Sequence, residues 1–368
     1  MSVLGYALAC AIPAFCVSFA VTAAIRRLAP KWGLIDQPAA RKVHVVPTPL
    51  GGGIGIVCGF VLPLLAADLA IRWSVAQPEL PDWLPRDWHV HLPGVRARTG
   101  QLWAIVAAGL VLSVMGLIDD LRGLPWAPRL GVQFLLATAL CSAGVRASVF
   151  VEHQWVGWIV TILWIVVLIN AFNFLDNMDA LAGGIGLIAA SMFAAVMLSS
   201  QVEPRWLVGG CLVVLAGSLA GFLVHNRPPA RIFMGDAGST FVGLMLASLT
   251  LAGTFYEPGQ SSRHVILAPL CILAVPLYDF TTVLLIRISQ GRSPFHPDKN
   301  HFSHRLVDLG MTKPRAVLTV HFATLTTGLG GLLLYRLQNW IDALLVIALV
   351  LCVLTIIAIL ETVGRRRE

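Results

Sequence analysis

The chain has 368 residues, 57% of them hydrophobic and 12% charged, with a formal net charge of +7. Soluble domains carry about 25% charged residues, so a water-soluble core is excluded and no nucleic-acid partner is expected. What remains is an all-α integral membrane protein of many spans, with the lipid bilayer as its solvent.

Apolar runs long enough to span occur in order at 3–25, 49–71, 102–118, 130–149, 155–172, 184–200, 206–224, 238–255, 264–288, 316–336 and 340–361. They predict eleven transmembrane helices forming one polytopic domain over residues 1–368. The first run lacks a basic leader, so no cleavable signal is expected. The seven cysteines all lie in apolar segments without metal-like or disulfide-like clustering, and read as small core residues. The insert at 72–101 carries Trp73, Trp83 and Trp88, of the type that anchors at membrane margins, and His89 and His91, read as surface residues.

Orientation follows from the loops. One alternate set holds Arg26, Arg27, Lys31, Arg41, Lys42, Arg122, Arg129, Arg227, Arg231, Arg292, Lys299, Arg305, Lys313, Arg315 and Arg365, Arg366, Arg367. The other holds Arg72, Arg86, Arg96, Arg98, Arg146, Arg205, Arg263 and Arg336, roughly half as many. The richer set is cytoplasmic by the positive-inside rule, which puts the amino terminus outside and the tail inside.

The most informative stretch is NAFNFLDNMDALAGG, from Asn170 to Gly184. Asn170, Asn173, Asp176 and Asp179 fall every third residue and would form one drifting helical stripe between two apolar runs. A carboxylate in hydrocarbon costs roughly 2.5–3.5 kcal/mol. Two carboxylates and two amides there want a compensating partner, for which a divalent cation with oxygen ligands is suited. A plain loop joining two helices would need no such spacing.

Four more polar clusters fall on the same expected face. Asp119 and Asp120 sit where an apolar run meets the cytoplasm; adjacent carboxylates repel, which suits a general base or a metal ligand. Asp236 lies in GDAG before an apolar helix, where glycines and a helix amino terminus favour an approaching phosphate. His301 and His304, with Lys299 and Arg305, form a cationic cluster suited to phosphate oxygens. Lys42 and His44 precede Pro47, Pro49 and the glycine run 51–53, another rigid basic loop. Carboxylates and amides for Mg²⁺, with basic loops for phosphate, point to phosphoryl transfer at the inner membrane face, between a soluble and a lipid-borne substrate.

Taken together, RKVHVVPTPLGGG, GLIDDLRGL, the Asn/Asp stripe, RIFMGDAGS and SPFHPDKNHFSHRLVDLGM resemble the motifs of the polyprenyl-phosphate N-acetylhexosamine-1-phosphate transferases, glycosyltransferase family 4. The resemblance runs from about residue 30 to 315 and is nearest the undecaprenyl-phosphate GlcNAc-1-phosphate branch. It implies transfer of a sugar 1-phosphate from a UDP-N-acetylhexosamine to undecaprenyl phosphate, releasing UMP and starting an envelope glycan such as lipopolysaccharide or teichoic acid. It implies a multi-pass protein of the bacterial inner membrane, with Mg²⁺, or alternatively Mn²⁺, as cofactor, and it is compatible with a homodimer.

By the same resemblance Asp119 and Asp120 match the catalytic pair, the first as base on the lipid phosphate. Asp176 matches a further acidic position of the active site. Asn173 and Asp236 match the metal positions. Asp179 and Phe233 match residues at the uracil. His301, His304 and Arg305 match the loop that handles the diphosphate and sugar, and Lys42, with His44 beside it, falls near a basic position. Direct attack and an aspartyl-phosphate intermediate are both compatible, and direct attack is favoured. The alternatives are a phospho-N-acetylmuramoyl-pentapeptide transferase and, in another class, a transporter or flippase, whose acids would sit near the bilayer midplane.

Three departures stand out. Ser303 replaces a histidine common in this family, and Asn177 and Ala180 replace common glycines. Asp279, an acid inside the run 264–288, has no motif role and is expected to pair with a neighbouring helix.

Overall fold

The computed structural model describes residues 2–38, 46–77, 92–147, 153–199, 204–253, 263–295 and 298–364. Thirteen helices follow one another among them: α1 Val3–Leu28, α2 Gly52–Val75, α3 Leu92–Arg122, α4 Trp126–Ser142, α5 Gln154–Leu175, α6 Leu181–Leu198, α7 Trp206–Asn226, α8 Gly235–Ala252, α9 Ala268–Ile272, α10 Ala274–Ser289, α11 Phe302–Asp308, α12 Lys313–Leu334 and α13 Trp340–Gly364. The sole departure from an all-helical chain among these residues is a two-stranded antiparallel ribbon, Ile35–Asp36 (β1) against Thr48–Pro49 (β2). Lys42, His44, Trp83, Trp88, His89, His91 and Arg365–Arg367 lie outside the described residues.

Nine described helices are long and apolar enough to cross a membrane, and ten if a bent pair counts as one span. The expected eleven is therefore corrected. The expected run 130–149 became α4, whose 17 residues extend roughly 26 Å, short of a hydrocarbon core of about 30 Å. The bent pair comprises Arg263–Ile272 and α10, turned by 66°. Pro276, in the first turn of α10, has no N–H to donate back across the break.

The bundle is built around α8. Of its apolar window 83% is buried, against 11% in α13 at the periphery. Helices α2, α3, α5, α6 and α7 all pack on α8, while α1 closes over α2 and α7, and α12 lies on α6 and α9. The cysteines divide: Cys141, Cys211 and Cys271 are buried as expected, but Cys16 and Cys352 face outward. In a membrane an apolar helix face needs no protein cover.

Glycine sets how closely the neighbours approach α8. A Cβ built on Gly116 of α3 would lie 2.5 Å from the Asp236 carbonyl carbon, and one on Gly53 of α2 would lie 2.5 Å from Gly238 Cα. The first turn of α8 is thus gripped, backbone to backbone, between the carboxyl end of α3 and the amino end of α2. At the same end Gly52 N and Gly53 N donate to the carbonyls of Phe233 and Met234, both at 2.9 Å, and Phe233 N donates to Pro49 O at 2.8 Å. The amides that open α2 are satisfied by the segment that leads into α8.

Gly116→Ala is expected to force α3 and α8 apart, at a cost of about 1–3 kcal/mol. A lowered thermal midpoint in detergent checks this; an unchanged midpoint would mean the contact yields freely.

Candidate active site

The helix ends nearest this grip carry the polar residues. Asp119 and Asp120 lie in the last turn of α3, Asn173 in the last turn of α5, Asp176 at its carboxyl cap, and Asp236 in the first turn of α8. Carboxylates at helix carboxyl ends oppose the helix dipole, whereas the amino end of α8 favours them. The structure sets one against the other. Asp236 N donates to Asp120 Oδ1 at 3.0 Å, and Gly235 N donates to Asp176 Oδ2 at 3.1 Å. Helix α8 has no side-chain cap of its own, so carboxylates from α3 and α5 cap it. Gly235, at φ +73, supplies the left-handed turn that presents these amides. The amides expected to await a phosphate are therefore already taken by protein carboxylates.

The every-third stripe does not persist. Helix α5 ends at Leu175, and Asp176 and Asp179 lie in the following turn. Asn170 points elsewhere, its Nδ2 donating to Gln133 Oε1 at 2.6 Å. Asn173 stays in the site, with Nδ2 donating to Asp236 Oδ1 at 2.8 Å and to Ser239 Oγ at 3.1 Å. Asp179 Oδ2 accepts from Ala230 N at 2.9 Å and so holds the turn before Phe233.

Arg129, read from the sequence only as a topology charge, stands at the centre. Its Nη1 donates to Asp119 and lies 3.2 Å from Asp236 Oδ2, and its Nη2 reaches Asn173 Oδ1 at 3.4 Å. Its place in the first turn of α4, ten residues beyond Asp119, gave no periodic signal. Asp119 is fully committed, with Oδ1 on Leu124 N and Oδ2 on Arg129. Asp120 Oδ2 is buried without a hydrogen-bond partner.

A cavity of about 710 Å³ opens beside this cluster. It is lined by Asp120, Asp176, Asp179, Phe233, Asp236, His301 and His304 from the expected set, and by Asp36, Asp298 and Lys313, which the sequence did not single out. Burial, then the charge of Asp120, push Asp176 up to about 7. The oxygens of Asp236 and of the Asn173 amide suit Mg²⁺, which takes one or two carboxylates and completes its shell with water and substrate phosphate; a cation, Arg129, reaches the same two oxygens in this structure. Among the described residues no group of three or more His, Cys, Asp or Glu is gathered as a metal cage.

The histidine loop closes the opposite wall. Arg287 of α10 holds Asp298 through Nε at 2.9 Å and Nη2 at 3.1 Å. Burial alone would raise Asp298, but the bonds from Arg287 and Asn300 prevail and hold it down at about 2. Arg305, expected at the diphosphate, does not line the cavity; its Nε meets Glu361 of α13 at 3.0 Å and its Nη2 meets Thr282 at 3.1 Å. Ser303 Oγ donates to Asn177 Oδ1 at 2.7 Å, so two of the three residues that replace common family residues contact each other. The third, Ala180, sits at φ +62, a left-handed conformation that glycine adopts without strain.

The chain is similar to known proteins. Residues 102–254 match glycosyl transferase family 4. The chain is 35% identical to the decaprenyl-phosphate N-acetylglucosaminephosphotransferase of Mycolicibacterium smegmatis, covering 83% of this chain and 76% of that protein. It is 29% identical to a probable undecaprenyl-phosphate N-acetylglucosaminyl 1-phosphate transferase of Bacillus subtilis, covering 90% and 86%. It is 27% identical to the undecaprenyl-phosphate alpha-N-acetylglucosaminyl 1-phosphate transferase of Escherichia coli K12, covering 86% and 81%.

Two outcomes are expected. Ala180→Gly removes about 1–2 kcal/mol of left-handed strain and gives back about 0.4–1 kcal/mol in unfolded-chain entropy; a rise of roughly 0.5–1 kcal/mol in denaturant stability checks the balance. Burial, then His301 and Lys299, hold His304 down at about 4, below its ordinary 6.5. The unfolded state therefore binds the extra proton first, and stability falls as pH drops from 6.5 towards 4. Thermal midpoints should show this decline in the wild type and less of it in His304→Gln.

Proposed function

The chain belongs to glycosyl transferase family 4, among the polyprenyl-phosphate N-acetylglucosamine-1-phosphate transferases, and we propose that it moves GlcNAc 1-phosphate from UDP-GlcNAc to undecaprenyl phosphate. UMP is the leaving product, and the lipid-linked sugar starts an envelope glycan. The observation that carries the reading is the meeting of Asp119, Asn173 and Asp236 around Arg129, with Asp120 held by Asp236 N, at the edge of a cavity with Phe233 and the two histidines on its walls. Such a site matches a substrate that is part base, part diphosphate.

In the reaction an oxygen of the lipid phosphate bonds to the β-phosphorus of the UDP-sugar. The bond from that phosphorus to the bridging oxygen breaks, and UMP leaves with the oxygen. Asp120 suits the proton-accepting role better than Asp119, to which the resemblance assigns it. Both Asp119 oxygens are occupied, whereas Asp120 has one oxygen fixed by Asp236 N and the other unpartnered. Arg129 is placed to meet negative charge that gathers on the phosphates. Mg²⁺, held by Asp236 and the Asn173 amide oxygen, would supply charge neutralisation at the diphosphate. Phe233 offers its ring to the uracil, with Asp179 beside it. The basic loops support a cytoplasmic opening of this cavity, where a UDP-sugar is available.

Radiolabel transfer in detergent tests the proposal, with UDP-GlcNAc, UDP-GalNAc and UDP-MurNAc-pentapeptide offered to undecaprenyl and decaprenyl phosphate. Transfer from UDP-GlcNAc to undecaprenyl phosphate, lost on adding EDTA and restored by Mg²⁺, is expected. Transfer from another donor, or none, overturns the donor assignment. Asp120→Asn should keep its bond from Asp236 N and its thermal midpoint, while kcat falls about 10²–10⁴-fold.

A further inference from the structure

Asp279 lies in α10 with 0% of its surface exposed. A lone buried carboxylate in an apolar segment is expensive, and its partners show what it is for. Asp279 Oδ1 accepts from Phe302 N at 2.6 Å, and Oδ2 lies 2.9 Å from His301 Nδ1. His301 is the residue that caps α11, and it makes no side-chain cap of its own. Asp279 reaches across from α10 and supplies the anion that the amino end of α11 lacks.

The carboxylate can only accept, so the ring nitrogen facing it carries the proton. The nearby arginines are engaged elsewhere: Arg287 with Asp298, and Arg305 with Glu361. Phe174 packs edge-on against the His301 ring at 5.6 Å, and the His304 ring lies 6.3 Å away. The ring plane is thereby fixed, and His301 lines the cavity. With Nδ1 committed to Asp279, Nε2 is the nitrogen left to face it.

We infer that Asp279 is a positioning residue for sugar-phosphate transfer, holding the proton on His301 Nδ1 so that Nε2 is presented to the diphosphate. This rests on the transferase reading above. With both ring nitrogens protonated, Nε2–H would donate to a phosphate oxygen while the Asp279 carboxylate balances the charge. Asp279 itself touches no substrate.

Asp279→Asn separates this role from packing. The Phe302 N–H must keep an acceptor, so the Asn oxygen turns to it and the Asn NH₂ turns to His301 Nδ1. Nδ1 must then accept, and the neutral ring moves its proton to Nε2.

The test is ¹⁵N-histidine NMR of the full-length protein in detergent, with the His301 signals assigned by their loss in His301→Gln. The wild type should show Nδ1 protonated, and Asp279→Asn should show the neutral ring protonated on Nε2. The variant's kcat should fall about 10–100-fold, with KM for the UDP-sugar changed less than about 3-fold. On a His301→Gln background, Asp279→Asn should cost nothing further. A wild-type His301 protonated only on Nε2, an unchanged kcat, or costs that multiply in the double variant would each overturn the inference. The wild-type spectrum needs no variant at Asp279, so misfolding there leaves the test intact. It also needs no turnover: a chain that shows the Nδ1–H ring but releases no UMP from any UDP-N-acetylhexosamine overturns the transferase reading instead.

Discussion

The capping of α8 by carboxylates from other helices is the constraint on which the rest depends. A helix amino terminus leaves amide donors without partners, and an apolar setting offers no water to satisfy them. Asp120 and Asp176 bring oxygen to these amides, and the amides in turn make two carboxylates tolerable beside Asp119 and Asp236. The requirement explains the glycines at positions 53 and 116, because a side chain at either would hold the helices too far apart for these bonds. It also explains why α8 occupies the centre of the bundle: the site needs its amino end where α2, α3 and α5 meet.

The second organising feature is that charge on the histidine loop is paired with neighbouring helices. Asp298 is held by Arg287, Arg305 by Glu361 and His301 by Asp279, with Tyr278 donating to Glu361 at 2.9 Å. The loop is irregular backbone, and irregular backbone at the margin of an apolar bundle survives only if protein groups satisfy it. These pairs supply that satisfaction and leave His301 and His304 on the cavity side. The last helix, peripheral by burial, braces the histidine loop through Glu361, which meets Arg305. The bond between Ser303 and Asn177 joins this loop to the turn after α5, so an unusual residue in one motif has its partner in another.

Much of this was legible in the chain, and the misses have physical causes. Composition exposed the membrane class, since few charges and long apolar runs admit no other solvent. Asp120, Asp176, Asp179, Asp236, His301 and His304, which line one cavity, were singled out because polar residues beside apolar runs are costly and therefore conspicuous, and Phe233 was singled out through the family resemblance. Arg129 was missed because an arginine in a loop-side turn looks like any other topology charge. Asp36 was missed because it lies in a two-residue strand without periodicity. The Asn/Asp stripe misled in part: the spacing is helical only as far as Asn173, and the chain leaves the helix before Asp176.

The amino-acid sequence by itself determined that the protein is a bundle of membrane helices, which polar residues stand beside its apolar runs, and that they gather at helix ends. Those are properties of local composition and order. Only the tertiary structure decided which carboxylate keeps an unused oxygen: Asp119 and Asp120 are adjacent and alike in sequence, yet Arg129 and Leu124 N occupy the first while the second has one oxygen buried without a partner. It also decided that Arg305 braces α13 rather than lining the cavity, and that Asp279 answers His301. Hydrogen-bond partners are chosen by distance and direction across packed helices, and neither quantity is encoded in any single stretch of chain.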